Sequence, residues 1–242
     1  NKLRTEVFDM DKKVTIVTGS SSGIGKSTAC LLRDQGYIVY GFSRSGSSDD
    51  GIFQLTLDVA NEQAVIEAVQ SVALKAGRVD LVVNCAGFGI SGACEFTKAD
   101  DARKQLDVNV IGTANVCKAA IPYLRQTKGM IINISSVAGV VSIPFQAWYS
   151  VSKFGINAFS SALAVELRPF GIRVCAVMPG DTKTGFTAAR EKESAGNDLY
   201  EGKIDRPVAS MEHDEQHGVG PEVIARYIVK ISKKKNVKPL YT

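Results

Sequence analysis

Seven short, almost continuously apolar runs constrain the fold of this 242-residue chain. They are rich in β-branched residues, as expected of parallel strands covered on both faces, and they lie at Val14–Thr18, Ile38–Phe42, Phe53–Asp58, Leu81–Asn84, Met130–Ser135, Arg173–Met178 and Lys238–Tyr241. Helical patterns separate most of them, at Gly25–Gln35, Glu62–Lys75, Lys98–Thr127, Tyr149–Arg168 and Pro221–Ser232. The alternation predicts an α/β fold, a single-domain, Rossmann-like, doubly wound parallel sheet of about seven strands with helices on both faces.

Length and charge limit the classes of protein to which the chain can belong. With 45% hydrophobic residues it can bury a large core, and we predict one domain over residues 1–242 that includes an N-terminal extension at residues 1–11. The net charge of +4 is carried mainly by a lysine run at 233–235, which is typical of a solvated helix end. We expect no nucleic-acid partner, because the basic residues lack the clustering and motif support of such an interface.

The sequence also bears on localisation and on metal chemistry. No apolar run approaches the roughly 20 residues of a membrane span, and the first residues have no apolar signal-peptide core. We therefore expect a cytoplasmic protein with no transmembrane segment. The five cysteines are scattered without a C-x-x-C pair, and His213 and His217 have no ligand partners close in sequence, so no metal site is predicted.

Residues 186–220 interrupt the alternation of strands and helices. This stretch is polar, has weak periodicity and follows the sixth predicted strand. In a doubly wound sheet it emerges at the carboxyl edge, where ligands bind. We expect it to form a lid over the substrate, and the alternative is a mobile insertion without function.

A glycine-rich loop follows the first predicted strand and precedes the first helix. Its glycines have the spacing G-x-x-x-G-x-G, and the residues expected to contact a ligand are Gly19, Ser21, Ser22, Gly23, Ile24 and Gly25. Glycine allows the backbone to approach a pyrophosphate closely, and the helix N-terminus offers free N–H groups to the phosphates. The loop predicts an NAD(P)-binding site.

The end of the second strand indicates which dinucleotide is preferred. An acidic side chain there would bind the adenosine ribose and repel a 2′-phosphate. The chain instead has Ser43 and Arg44, and a guanidinium suits a phosphate. This favours NADP(H), with NAD(H) as the alternative. If NAD(H) is the cofactor, Arg44 is an ordinary residue of a surface loop.

A serine, a tyrosine and a lysine form a candidate catalytic centre. Tyr149 and Lys153 are one helical turn apart and so project from one face. A tyrosine hydroxyl can deliver a proton to a developing alkoxide, and a nearby ammonium is expected to lower its pKa. Ser136, at the end of a strand, can hold the substrate oxygen. The three residues predict hydride transfer between a nicotinamide and an alcohol or carbonyl group, with Tyr149 as general acid/base.

Together these motifs resemble the short-chain dehydrogenase/reductase family, in its compact single-domain branch, from about Lys12 to Tyr241. The resemblance implies a homodimer or homotetramer and a fourth catalytic residue, Asn109, which would hold a water in a proton relay. It also implies cofactor contacts from Tyr149, Lys153 and a further set: Asp58, Val59, Asn84, Ala86, Gly87, Pro179, Gly180, Thr182 and Thr184. Cys85 stands where the family's signature has a second asparagine.

Some of these positions have simpler interpretations. Asn109 can accommodate a helix bend, Asp58 can form a turn before the helix cap at Asn61, and Pro179-Gly180 would end a strand in any protein.

The substrate pocket is expected to be apolar. Its predicted lining is Ser136, Val137, Phe145, Trp148, Tyr149 and Phe186, with Phe88 and Met211 as further candidates. No charged clamp is evident, which favours a small hydrophobic alcohol or carbonyl. The stretches Asn84–Gly92 and Ser152–Gly155 are similar to members that act on steroids and retinoids. The alternatives are a non-catalytic dinucleotide-binding regulator and an NAD-preferring alcohol dehydrogenase.

Overall fold

The computed structural model describes residues 11–46 and 51–242 and confirms the predicted parallel sheet. Nearly all of the expected N-terminal extension lies outside the described residues. The strands are β1 Val14–Thr18, β2 Ile38–Ser43, β3 Ile52–Thr56, β4 Leu81–Asn84, β5 Ile90–Ser91, β6 Met130–Ile134, β7 Arg173–Val177, β8 Glu191–Lys192 and β9 Leu240–Tyr241. Seven of them form one sheet in the order β3-β2-β1-β4-β6-β7-β9, with parallel pairing throughout. The strands β5 and β8 pair separately.

The strand order reverses direction between β1 and β4, and this reversal locates the ligand-binding edge. From β1 the chain moves outward to β2 and β3, and then returns to place β4 on the other side of β1. Thr18 pairs with Asn84, and Asn84 with Asn133, so β1, β4 and β6 end at the same edge. In open α/β sheets the crevice at such a switch point is where ligands bind.

Helices cover both faces of the sheet. They are α1 Gly23–Asp34, α2 Glu62–Ala76, α3 Ala99–Leu106, α4 Thr113–Thr127, α5 Ala147–Leu167, α6 Asp205–His217 and α7 Pro221–Ser232. On one face Leu32 of α1 and Ile228 of α7 pack against the strands. On the other face Val69 of α2, Val116 of α4 and Leu163 of α5 do the same. No helix in the described part of the chain is long and apolar enough to cross a membrane.

The helix predicted at Lys98–Thr127 is divided by a π-helical segment. The α-helical pieces α3 and α4 flank Asp107–Gly112, in which the backbone hydrogen bonds have the wider π spacing. Such insertions are frequent at functional sites. Because a π-bulge changes one turn only, it leaves the apolar periodicity of the flanking turns intact, and the pattern did not reveal it.

The stretch 186–220 contains more regular structure than its weak pattern predicts. It includes β8 and the 13-residue helix α6. Within α6, all of which the structure describes, Val208 is the single buried residue. A helix that buries so little apolar surface shows no clear periodicity and must be held by other interactions.

A buried line of polar side chains connects the central strands to α5. Asn84 donates from Nδ2 to Asn133 Oδ1 at 2.9 Å, and Asn133 donates to Ser160 Oγ at 2.9 Å. Asn84 also donates to the thiol of Cys117 at 3.3 Å. Because a buried polar group that loses its partner costs free energy, this line depends on each of its members.

We predict that Asn133→Ala lowers the free energy of unfolding by about 2–4 kcal/mol, since it leaves the Asn84 amide and the Ser160 hydroxyl short of a partner in the core. Urea denaturation measures the change. Thr56→Ala at the exposed end of β3 is the control, with an expected effect within about 0.5 kcal/mol. Equal stability of the two variants would contradict this account of the polar line.

Candidate active site

The glycine loop requires glycine because of close backbone contacts. Gly19 has φ 64°, and a Cβ there would lie 2.9 Å from the backbone N of Ala86. A Cβ on Gly25 would lie 2.2 Å from the Gly19 carbonyl oxygen. No other residue fits these positions without moving the backbone. The loop therefore brings the N-terminus of α1, with its unpaired N–H groups, directly to the end of β4.

A cleft of about 380 Å³ extends from this loop along the carboxyl edge of the sheet. It is lined by most of the residues predicted to contact cofactor or substrate. These are Gly19, Ser21, Ser22, Gly23, Ile24, Gly25, Ser43, Arg44, Asp58, Val59, Ala86, Gly87, Ser136, Val137, Tyr149, Lys153, Pro179, Gly180, Thr182, Thr184 and Phe186. Four predicted residues are absent from the described lining: Asn84, Asn109, Phe145 and Trp148.

Ser43, Arg44 and Asp58 lie together at the end of the cleft formed by β2 and β3. The Arg44 side chain is exposed to solvent, whereas Ser43 is buried and its Oγ has no hydrogen-bond partner among the described residues. Asp58 Oδ1 accepts a hydrogen bond from the backbone N of Ala60 at 2.9 Å, so it also forms a turn before α2. This end of the cleft offers a guanidinium and an unpaired buried hydroxyl to a ligand.

Ser136 and Tyr149 meet at the other end of the cleft. Their side chains are joined by a hydrogen bond, and Ser136 Oγ also accepts from the backbone N of Ala138 at 3.1 Å. Burial raises the pKa of the Tyr149 hydroxyl to about 12, and the bond to Ser136 opposes that rise. The phenol is therefore protonated at neutral pH and able to donate.

Lys153 lies one turn further along α5, with Nζ 5.5 Å from the centre of the Tyr149 ring. Nζ donates to the carbonyl oxygen of Ile134 at 3.0 Å. Burial lowers its pKa to about 8. For the pKa of Tyr149, burial is the largest influence, and Arg190 is a cation that opposes the rise.

Asn109 lies behind the cleft, within the π-helical segment. Its amide group holds the backbone of Phe88 at both ends, since Oδ1 accepts from Phe88 N and Nδ2 donates to Phe88 O, each at 3.0 Å. Nδ2 also contacts Ser152 Oγ at 3.0 Å. A Cβ on Gly87 would lie 3.1 Å from Asn109 Oδ1 and 3.9 Å from Lys153 Nζ, so the absence of a side chain at Gly87 leaves the two groups facing one space.

Asn84, assigned to the cofactor by resemblance, is a core residue in this structure. It is buried at the end of β4, where its amide belongs to the polar line with Asn133 and Cys117. The neighbouring residues Cys85, Ala86 and Gly87 line the cleft in its place.

The aromatic residues predicted for the substrate pocket divide into two groups. Phe186 lines the cleft, and its ring lies 5.6 Å from that of Tyr149. Phe145 and Trp148 do not line it. The Phe145 ring packs edge-on against Tyr200, with 5.8 Å between the centres. Trp148 precedes Tyr149 on α5, and consecutive helical residues point about 100° apart, so the two cannot share one face.

Several lining residues were missed at the sequence level, among them the carboxylates of Asp181, Glu191 and Glu215. Asp181 and Glu215 face the cleft, and Glu215 acts electrostatically to raise the pKa of Tyr149. Gln146 and Ile143 also line it, with Gln146 hydrogen bonded to the sulfur of Met211. The pocket was expected to have no charged clamp, yet carboxylates line it. Glu215 lies on α6, within the stretch 186–220 that was expected to cover the substrate, but no helix was predicted there.

We predict that Gly25→Ala weakens NADPH binding by about tenfold or more, because the new Cβ must displace the Gly19 carbonyl. Isothermal titration calorimetry measures the affinity. The control is Gly155→Ala in α5, where the nearest atom to a new Cβ is Val110 Cγ2 at 3.6 Å, an ordinary contact. Equal NADPH affinity in both variants would show that the close contacts in the loop do not support the site.

Known proteins match this chain closely. The family described as short chain dehydrogenase matches residues 13–195. A 3-ketodihydrosphingosine reductase from Bacteroides thetaiotaomicron is 43% identical over 231 residues, which are 94% of this chain and 86% of the relative.

Solved structures agree with the sequence comparison. A short-chain dehydrogenase from Streptomyces avermitilis superposes with a TM-score of 0.87 at 29% identity, over 95% of this chain and 87% of that one. ElxO with NADP bound has a TM-score of 0.79 at 26% identity, over 95% and 96% of the two chains. These matches confirm the expected class, an NAD(P)-dependent oxidoreductase. The chain belongs to the short-chain dehydrogenase/reductase family.

Proposed function

We propose that this chain is an NADPH-dependent reductase of a long-chain amino ketone, with 3-ketodihydrosphingosine as the first candidate substrate. The observation that carries the proposal is the cleft that joins the glycine loop to the hydrogen-bonded Ser136 and Tyr149 and continues to the wall formed by Phe186 and Met211. The 43% identity to a 3-ketodihydrosphingosine reductase supports this substrate class over steroids and retinoids.

NADPH fits the residues at the loop end of the cleft. There is no room for a side chain at Gly19 or Gly25, and the bare backbone there can approach a pyrophosphate. Arg44 offers charge-assisted bonds to a 2′-phosphate, and the Ser43 hydroxyl, which has no partner within the described part of the chain, offers another. When bound, the cofactor supplies a hydride from its nicotinamide ring. Asp58, Val59, Ala86, Gly87 and the segment from Pro179 to Thr184 would hold its remaining parts.

Ser136 and Tyr149 activate the substrate carbonyl. Both hydroxyls would donate hydrogen bonds to the carbonyl oxygen, and these bonds strengthen as negative charge develops there. Tyr149 then delivers its proton to that oxygen. Its pKa of about 12 keeps the proton available at neutral pH, which suits the direction of carbonyl reduction.

Lys153 stabilises the phenolate that remains after the proton has left. Its pKa of about 8 leaves it mostly charged at neutral pH, and the ammonium lies close to the Tyr149 ring. Opposite charges in a buried site favour each other's ionised forms. Asn109, which faces the same space beside Gly87, would hold a water through which the proton returns.

The outer half of the cleft suits a substrate with an alkyl chain and an amine. Val137, Ile143, Phe186, Ala189 and Met211 form an apolar wall for the chain. An ammonium group beside the carbonyl would face Glu215 and Asp181. This combination distinguishes an amino ketone from a wholly apolar steroid. It also opposes the alternative of a non-catalytic regulator, which has no need of a substrate-specific wall.

Exposed apolar side chains support the homodimer or homotetramer expected from the family. Ile111 on the π-helical segment and Val151 and Phe154 on α5 are each between 43% and 51% exposed. A surface of this kind on neighbouring helices is typical of a subunit contact.

We predict that the purified protein oxidises NADPH in the presence of 3-ketodihydrosphingosine and yields dihydrosphingosine. Tyr149→Phe is the matched control: it removes one hydroxyl, should lower kcat by about 10³-fold or more and should leave NADPH binding measurable. Absorbance at the NADPH band and mass spectrometry of the product provide the measurement. Turnover of a steroid ketone but not of the amino ketone would overturn the substrate class.

We also predict that Arg44→Asp lowers the ratio of kcat/KM with NADPH to kcat/KM with NADH by about tenfold or more, because a carboxylate repels the 2′-phosphate. Arg103→Asp, which makes the same charge change on the exposed surface of α3, should leave this ratio unaltered. If the ratio stays constant in the Arg44 variant, Arg44 does not select the cofactor.

A further inference from the structure

Arg190 is a buried cation between the cleft wall and α6. Its side chain has no solvent exposure, and NH2 lies 2.5 Å from Glu215 Oε1 while NH1 lies 3.4 Å from Glu212 Oε1. Both glutamates belong to α6. The Nε of Arg190 has no hydrogen-bond partner among the described residues. Because removing one partner of a buried ion pair is strongly destabilising, this enclosed guanidinium ties α6 to the cleft wall.

The backbone segment that carries Arg190 is held by hydrogen bonds and an ion pair to the rest of the fold. Arg190 immediately precedes β8, which pairs with β5, and Glu191 N donates to Gly89 O at 3.0 Å. Glu191 also forms an ion pair with Lys104 of α3 at 2.6 Å. The backbone that carries Arg190 is therefore anchored, whereas α6 buries only Val208 within its own length.

The same network reaches the catalytic tyrosine. The guanidinium of Arg190 lies 5.6 Å from the ring centre of Phe186, and the Phe186 ring lies 5.6 Å from that of Tyr149. Glu215 is held on its second oxygen by the Thr187 hydroxyl at 2.6 Å and faces the cleft. Phe186 in the apolar part of the substrate wall and Glu215 in its acidic part thus both contact Arg190.

We propose that Arg190 is a positioning residue, which clamps α6 onto the cleft so that Phe186 and Glu215 stand at the distances that a substrate requires. Removing the guanidinium leaves Glu215 without its buried cation and leaves Glu212 with Lys192 alone, so that both carboxylates gain by turning toward water. Because α6 has little apolar contact, it will then separate from the cleft while the sheet and the cofactor end stay folded. The inference rests on the proposed function for its kinetic effect but not for its structural effect.

Three variants test the clamp. Arg190→Met removes the charge and keeps an apolar stem, and Arg190→Lys keeps the charge but can serve only one carboxylate well. Lys192→Met is the control, because Lys192 is a half-exposed cation on the same Glu212. Hydrogen exchange on the cofactor-free protein compares α6 with α7, and steady-state kinetics use whichever ketone the unmodified protein reduces.

In Arg190→Met we expect amides of α6 to exchange about tenfold faster or more, with those of α7 unchanged. KM for the ketone should rise about tenfold with a smaller loss in kcat, and NADPH affinity should stay within about twofold. A general loss of folded enzyme would instead lower kcat at constant KM. Arg190→Lys should restore part of the KM, and Lys192→Met should resemble the unmodified protein.

Unchanged exchange in α6 together with an unchanged KM in Arg190→Met would overturn the proposal. If that variant does not fold, α6 exchange in Glu215→Gln gives the decision, because this variant removes the charge paired with Arg190, and faster exchange of α6 but not of α7 is expected. A protein that reduces no ketone refutes the proposed function, and the exchange data still decide whether Arg190 clamps α6.

Discussion

Parallel pairing of β1 with β4 sets the geometry on which the rest of the cleft depends. The pairing brings the loop after β1 against the backbone after β4, and Thr18 Oγ1 accepts hydrogen bonds there from the N–H groups of Cys85 and Ala86, both at 3.1 Å. Gly19 fits against Ala86 only because it has no side chain. From this junction the cleft extends to the end of β6, where Ser136 follows, and to α5 across the crevice.

Burial is the main electrostatic influence at the catalytic end. It disfavours the charged form of both Tyr149 and Lys153, so the phenol holds its proton more firmly and the amine holds its proton less firmly. The pKa of Tyr149 is therefore raised to about 12, and the pKa of Lys153 is lowered to about 8. The surrounding charges of Arg190 and Glu215 act on Tyr149 in opposite directions. The clamp on α6 and the proton chemistry are therefore parts of one charged environment.

Local patterns predicted the elements of the sheet and the residues of the loop, because both depend on short-range chemistry. The apolar runs identify β1, β2, β4, β6 and β7 nearly to the residue. The cleft edge follows from the topology, so Ser136, Tyr149 and Lys153 were found together.

Features that depend on tertiary contacts escaped the sequence patterns. The helix α6 is held by Arg190 rather than by an apolar stripe, so its polar sequence resembles a loop. Phe145 was expected in the pocket, yet its ring packs against Tyr200, which lies 55 residues away in the chain and cannot be inferred from spacing. The π-helical segment around Asn109 is likewise stabilised by its bonds to Phe88 and Ser152, not by a local signal.

Transfer of hydride from the cofactor to a carbonyl carbon is the central claim, and isotopic labelling tests it most directly. The protein is incubated with 3-ketodihydrosphingosine and NADPH that carries deuterium at the transferable position of the nicotinamide C4, and the alcohol is analysed by mass spectrometry and NMR. We predict deuterium on the carbinol carbon of dihydrosphingosine, with hydrogen from solvent on its oxygen. An alcohol without deuterium, or a cofactor that remains fully reduced with every ketone offered, would contradict the account.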